Sequence, residues 1–303
     1  MLRILNSNQP VAWVVVPITG FVLFLMACSL GLCEGGSWTA IAAIILTARL
    51  LHLMHAESGM RTRPGSIPGW VWVLFAAPFI GVVPDASWWS VPCFVQGLRM
   101  AMRLRDMDGM SGTFLAIGMW WGMGLLVESA LWPFALALVV GVSMGRRPDA
   151  GEGLSGLIGM LAPLCCVTAV FWLWDQQLAR LWTYRSLRGP IPTTGLIWWV
   201  LPVGAGWVMR QQSLVRATAQ QRFSRQMTQW AGAFAVLLTG MTQLLHWAQP
   251  DSWPSTSAGA PVVLAFVASW SLPWLMPPGF RSTKVMPFVF ILMSLAILAL
   301  RCT

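Results

Sequence analysis

The sequence predicts an all-α fold, a polytopic integral membrane helix bundle of about eleven transmembrane helices, several of them short or broken. Three observations carry that expectation. Hydrophobic residues make up 57% of the 303 and charged residues only 10%, with a mean hydropathy of +0.68. A soluble domain carries about 25% charged residues, so this chain cannot clothe itself in a water-compatible surface. The apolar residues also gather in runs near the roughly 20 residues that a helix needs to cross a hydrocarbon core about 30 Å thick. Finally, the basic residues alternate from loop to loop, as cytoplasmic enrichment of Lys and Arg requires.

The runs occupy 11–31, 37–54, 69–83, 87–103, 112–127, 130–145, 154–174, 193–209, 227–247, 259–277 and 286–301. Only Arg3 precedes the first, and no small-residue cleavage site follows it, so it reads as a retained span rather than a cleaved signal. The second ends in "HLMHAE", with Arg49 near its end and able to snorkel. Residues 112–145 form one apolar stretch of 34, about 50 Å as a single helix. Basic loops on both sides must share a face, so that stretch crosses an even number of times. Two short helices turning at Glu128–Ser129, ahead of Pro133, satisfy this. A re-entrant hairpin does as well, and would put Glu128 inside the membrane. The runs 154–174 and 193–209 each hold a mid-run proline, Pro163 and Pro202. Several runs have only 15–17 residues, which implies thinning, snorkelling or partial insertion. No convincing repeat or low-complexity linker appears, and 1–303 reads as a single transmembrane domain.

Loop charge sets the orientation. With the N-terminus inside, fourteen Lys/Arg fall inside and four outside, namely Arg180, Arg185, Arg188 and Arg301. The outside segments hold Glu34, Asp85, Glu128 and Asp251. The expected location is the bacterial inner membrane, N-terminus cytoplasmic and C-terminus periplasmic. The net charge of +9 lies in these short loops and is topogenic, so no nucleic-acid partner is implied. Many of the 20 Trp sit at the ends of apolar runs, where interfacial belts place them. The six Cys form neither a CxxC nor a Cys/His cluster of zinc spacing, and no metal or cofactor is implied.

The opening "MLRILNSNQP", the segment "RLLHLMHAESGMRTRPGSIPGWVWVLF" and the later "RRPDAGEGLSGLIGMLAPL" together resemble an uncharacterised family of multi-pass inner-membrane proteins from Bacteroidetes. The resemblance covers most of the chain. It implies a polytopic envelope protein and carries no active residues over. Members are sometimes labelled carotene monooxygenases, a chemistry that needs a histidine-ringed iron. Three His, with His246 far along the chain from His52 and His55, do not supply that ring.

Among local motifs, His52, His55 and Glu57 stand at i, i+3 and i+5, a spacing that could share a metal or simply mark a wet helix end. Glu128 is either a functional carboxylate at membrane depth or the tip of an exposed hairpin. "GMWWGMG" at 118–124 has the small-residue spacing of close helix packing. Asp106 and Asp108 in "MRLRDMDGMSG" are too few acids for the metal-holding pattern of lipid-phosphate transferases. No nucleophile elbow, phosphate-cradling loop, dinucleotide fingerprint or HExxH occurs.

"DQQLARLWTYRSLRGP", residues 175–190, breaks the charge alternation by placing three Arg outside. Trp174, Leu178, Leu181 and Trp182 share one side of a helical wheel, and Arg185 and Arg188 continue it. Such a stripe suits an interfacial helix with guanidiniums at phosphate depth. It serves either as a headgroup anchor or as a site for an anionic amphiphile at the outer face, formed by Arg185, Arg188, Arg180, Trp182 and Glu128. A different topology, with 154–174 and 193–209 both re-entrant, would also account for the break. The expected partners are membrane lipids and other membrane proteins. Two functions follow: handling of a lipid-linked or anionic envelope substrate, or service as a non-catalytic membrane subunit or scaffold.

Overall fold

The computed structural model describes residues 10–31, 37–57, 66–81, 83–104, 111–173, 219–248, 259–271 and 285–302. Among them the fold is all-helical, with ten α-helices. These are α1 Pro10–Ser29, α2 Trp38–Glu57, α3 Ile67–Ala76, α4 Asp85–Met102 and α5 Ser111–Val127, followed by α6 Trp132–Gly145, α7 Ala150–Leu173, α8 Ala219–Ala248, α9 Gly259–Ser271 and α10 Val285–Cys302. Ten of the eleven apolar runs coincide with a helix. The eleventh, 193–209, and the segment 175–190 lie outside the described residues.

The helical class is as expected, whereas eleven crossings, several short or broken, are not established by the described helices. By length and composition two of them, α2 and α7, are long and apolar enough to cross a membrane. The run 69–83 shows why. Its helix α3 has only 10 residues, about 15 Å, because Pro78 has no N–H to offer the Leu74 carbonyl and clashes with the preceding turn. A 3-10 turn, Ala77–Phe79, follows. Gly81 then takes φ +87°, a conformation that costs glycine nothing, and Pro84 leads into α4. The Leu74 carbonyl is not abandoned: the Ser294 hydroxyl on α10 donates to it at 2.7 Å. Irregular backbone of this kind is tolerated where protein surrounds it, and Ala77, Pro78, Phe79 and Ile80 are all buried.

Every residue of α3 is buried, and this helix is the axis of the fold. α2, α9, α1 and α10 pack around it. Gly69 lets α2 approach so closely that a Cβ there would stand 2.6 Å from the Ala48 carbonyl oxygen. Trp72 donates its indole N–H to the Ile44 carbonyl at 3.0 Å and meets Trp88 of α4 and Phe266 of α9 edge-on, at 6.0 and 6.4 Å. Phe266 meets Phe134 of α6 at 4.8 Å, and Phe134 meets Phe94 of α4 at 5.3 Å. Each such edge-to-face pair adds about 0.5–1.5 kcal/mol beyond the area it buries.

The 34-residue apolar stretch does turn where the sequence suggested. α5 ends at Val127, a 3-10 turn runs Ser129–Leu131, and Pro133 sits in the first turn of α6. The two helices then part company: α5 packs on α4 and α7, whereas α6 packs on α8.

Candidate functional site

Polar side chains collect at the two ends of the bundle, and the end at which each lies follows from helix direction. At one end stand the starts of α2 and α4 and the end of α5. Thr39 donates to Asp85 Oδ2 at 3.0 Å, and Ser87 donates to Glu128 Oε2 at 2.9 Å. Glu128 is buried, and its own backbone N–H still reaches the Gly124 carbonyl at 3.0 Å. It therefore closes the last turn of α5 and binds α5 to α4. It is not an exposed hairpin tip.

At the other end stand the ends of α2, α4 and α6 and the starts of α5, α7 and α8. The 18-residue α4 separates the two ends by about 27 Å. Here Glu57 receives two guanidiniums. Arg99 grips both its oxygens, through Nη2 on Oε1 and through Nε on Oε2 at 2.7 Å. Arg103, the residue that caps the end of α4, brings Nη2 to Oε2 at 2.6 Å and Nε to the same oxygen at 3.1 Å. Gln96 accepts the remaining Arg99 contact at 3.3 Å.

A second polar knot sits beside it. Arg146 Nη2 pairs with buried Glu152 at 2.8 Å, its Nη1 donates to the Leu104 carbonyl at 3.0 Å, and its guanidinium lies 5.7 Å from the Phe114 ring centroid. Glu152 also accepts from the Asp149 backbone N–H at 3.2 Å. That is the reach-back half of a capping box, which secures the start of α7. Arg146 thus ties together the ends of α4 and α6 and the starts of α5 and α7, which places these four helix termini at one end.

Between these ends runs a seam in which backbones touch. A Cβ on Gly118 would overlap the Gly156 carbonyl oxygen, one on Gly122 that of Met160, and one on Gly159 that of Leu115. The "GMWWGMG" spacing therefore does serve helix packing, with α7 as the partner of α5.

The sequence-derived candidates fare unevenly. Glu57 is held by arginines and does not join His52 and His55 as a ligand set. His55 Nδ1 lies 2.8 Å from the Leu51 carbonyl, and both rings are buried. Among the described residues no group of three His, Cys, Asp or Glu is placed to hold a metal. Arg180, Trp182, Arg185 and Arg188 lie outside the described residues, as do Asp106 and Asp108, so only Glu128 of the amphiphile set has a described position. Sequence reasoning missed both arginine knots. Their signals were present: Arg99 and Arg103 are four apart on one helix face, and Asp149 with Glu152 has capping-box spacing. No family model matches the chain, and no curated protein or solved structure matches it either.

Proposed function

We propose that this chain is a polytopic protein of the bacterial inner membrane, N-terminus cytoplasmic and C-terminus periplasmic, that serves as a non-catalytic subunit or scaffold of a cell-envelope complex. One observation carries the reading. Helix α7 has 24 residues, and Glu152 and Gly159 are the buried ones. Its remaining surface presents large apolar side chains such as Leu154, Leu157, Ile158 and Trp172. An exposed apolar strip about 30 Å long, from Leu154 to Leu173, is untenable in water and is what a lipid- or partner-facing span offers. Two further features support it. The polar ends stand about one membrane thickness apart. Moreover, Glu57, Asp85, Glu128 and Glu152 each hold a structural hydrogen bond or ion pair rather than facing an unoccupied site.

Two measurements test it. Alkaline carbonate should leave the protein in the membrane pellet, and release into the supernatant would overturn the membrane reading. Purification in mild detergent should bring down a stoichiometric protein partner. A chain that emerges without any protein partner would overturn the scaffold.

That second outcome belongs to a competing reading, motivated by the three Arg at 175–190 that break the charge alternation. In it Arg185 and Arg188, helped by Arg180 and Trp182, handle a lipid-linked or anionic amphiphile at the outer face, while Glu128 keeps its structural bond to Ser87. Replacing Arg185 and Arg188 together by Lys keeps charge and removes the bidentate fork. Loss of bound anionic lipid in native mass spectrometry would favour substrate handling; unchanged retention would return the segment to a headgroup anchor.

A further inference from the structure

We infer that the centre formed by Arg99 and Arg103 is a binding point for the phosphate of an anionic phospholipid in the leaflet at the basic end of the bundle, with Arg103 making the contact. The inference rests on the membrane reading above. Its starting point is a charge mismatch: two guanidiniums converge on one carboxylate. Glu57 Oε2 alone receives Nε of Arg99 and both Nε and Nη2 of Arg103, at 2.7, 3.1 and 2.6 Å. A carboxylate has about two lone-pair sites on each oxygen, so Oε2 is over-subscribed, and among the described residues Glu57 is the one carboxylate on the two arginines, which leaves the pair one positive charge in excess of it.

The two arginines are not equivalent. The Arg99 side chain is 17% exposed and committed to Glu57 and Gln96, whereas Arg103 is 56% exposed and shares a single oxygen. A second anion arriving from outside would therefore be met by Arg103. Arg147, also exposed, stands at the same end.

Two features choose a lipid phosphate over another anion. A guanidinium presents a planar fork that matches phosphate oxygens. The neighbouring surface is also apolar: Arg146 bonds the carbonyl of Leu104, the residue after Arg103, and just along α6 and α7 from that knot Met144 and Leu154 are exposed. Cationic heads with exposed apolar side chains about half a turn along the same helices match a phospholipid, whose acyl chains continue below its phosphate. A free phosphate would make no use of that apolar surface.

The test uses the full chain in nanodiscs of phosphatidylcholine with a minority of phosphatidylglycerol, and native mass spectrometry to count retained phosphatidylglycerol. Arg103→Ala leaves the Arg99–Glu57 pair in place and should lower retention about fivefold, the equivalent of about 1 kcal/mol per basic residue near an anionic surface. Glu57→Gln frees both guanidiniums and should raise retention, with a melting curve to confirm that the variant is folded. Asp85→Asn, at the opposite end, should leave retention unchanged. Arg103→Ala retaining as much lipid as the parent would overturn the inference, as would displacement of the lipid by excess inorganic phosphate. A chain that never enters the nanodisc overturns the membrane reading instead, and the inference with it.

Discussion

Helices α3 and α7 are both almost free of charge, yet one is buried at every residue and the other at only Glu152 and Gly159. Apolar character does not tell them apart; side-chain volume does. α3 carries Trp70, Trp72 and Phe75, large side chains that fill space between neighbours and lock edge-on against other rings. α7 opens with "AGEGLSGLIGM", which has little volume to contribute and lets its backbone lie directly on that of α5. An apolar helix can thus be consumed by the protein on all sides, or touch it along one seam and leave the rest for another apolar medium. Hydropathy reports the wish to avoid water, and side-chain volume decides who satisfies it.

The contrast can be broken most forcefully in α3. Trp72→Ala should destabilise the bundle by about 4 kcal/mol, the scale of a large core deletion, as measured by unfolding in mixed-detergent titrations. Glu152→Ala comes next. It leaves Arg146, only 18% exposed, without its anion and should cost about 3 kcal/mol; a change below 1 kcal/mol would mean that α7 is not anchored at this knot. Gly118→Leu forces a side chain into the Gly156 backbone and should cost about 2–3 kcal/mol by overpacking, with α7 the first helix to become accessible to proteolysis. On the outward face of α7, Leu157→Ala should shift stability by less than about 0.5 kcal/mol. A loss as large as that of Trp72→Ala would show that the face is packed in the assembled protein.

The all-helical class was legible because it depends on local periodicity and on runs of apolar residues. So was the turn after Val127, since Glu128, Ser129 and Pro133 interrupt an otherwise unbroken run. The break inside 69–83 was legible in principle, as Pro78 stands mid-run, but its acceptability depends on Ser294, far away in sequence. Glu57 illustrates the harder limit. Its neighbours in sequence are histidines and suggest a metal, whereas its neighbours in space are arginines on another helix. Spacing along one helix shows which side chains could meet and not which competitor arrives from elsewhere. Glu128 is a related case: the sequence left it between membrane depth and an exposed tip, and a bond from the Ser87 hydroxyl, 41 residues back, helps to fix it as a buried tie.

The bond from Ser294 to the Leu74 carbonyl links positions 220 residues apart, and this has a consequence for how the protein is made. At about 5–20 residues per second, the ribosome needs roughly 10–45 s after Leu74 before Ser294 exists. Throughout that interval the interrupted turn before Pro78 has an orphan acceptor in an apolar setting, a costly state. The central helix is therefore assembled early and completed last. A nascent chain that stalls before α10 is left with a defect at its centre, so the whole bundle waits on its last described helix.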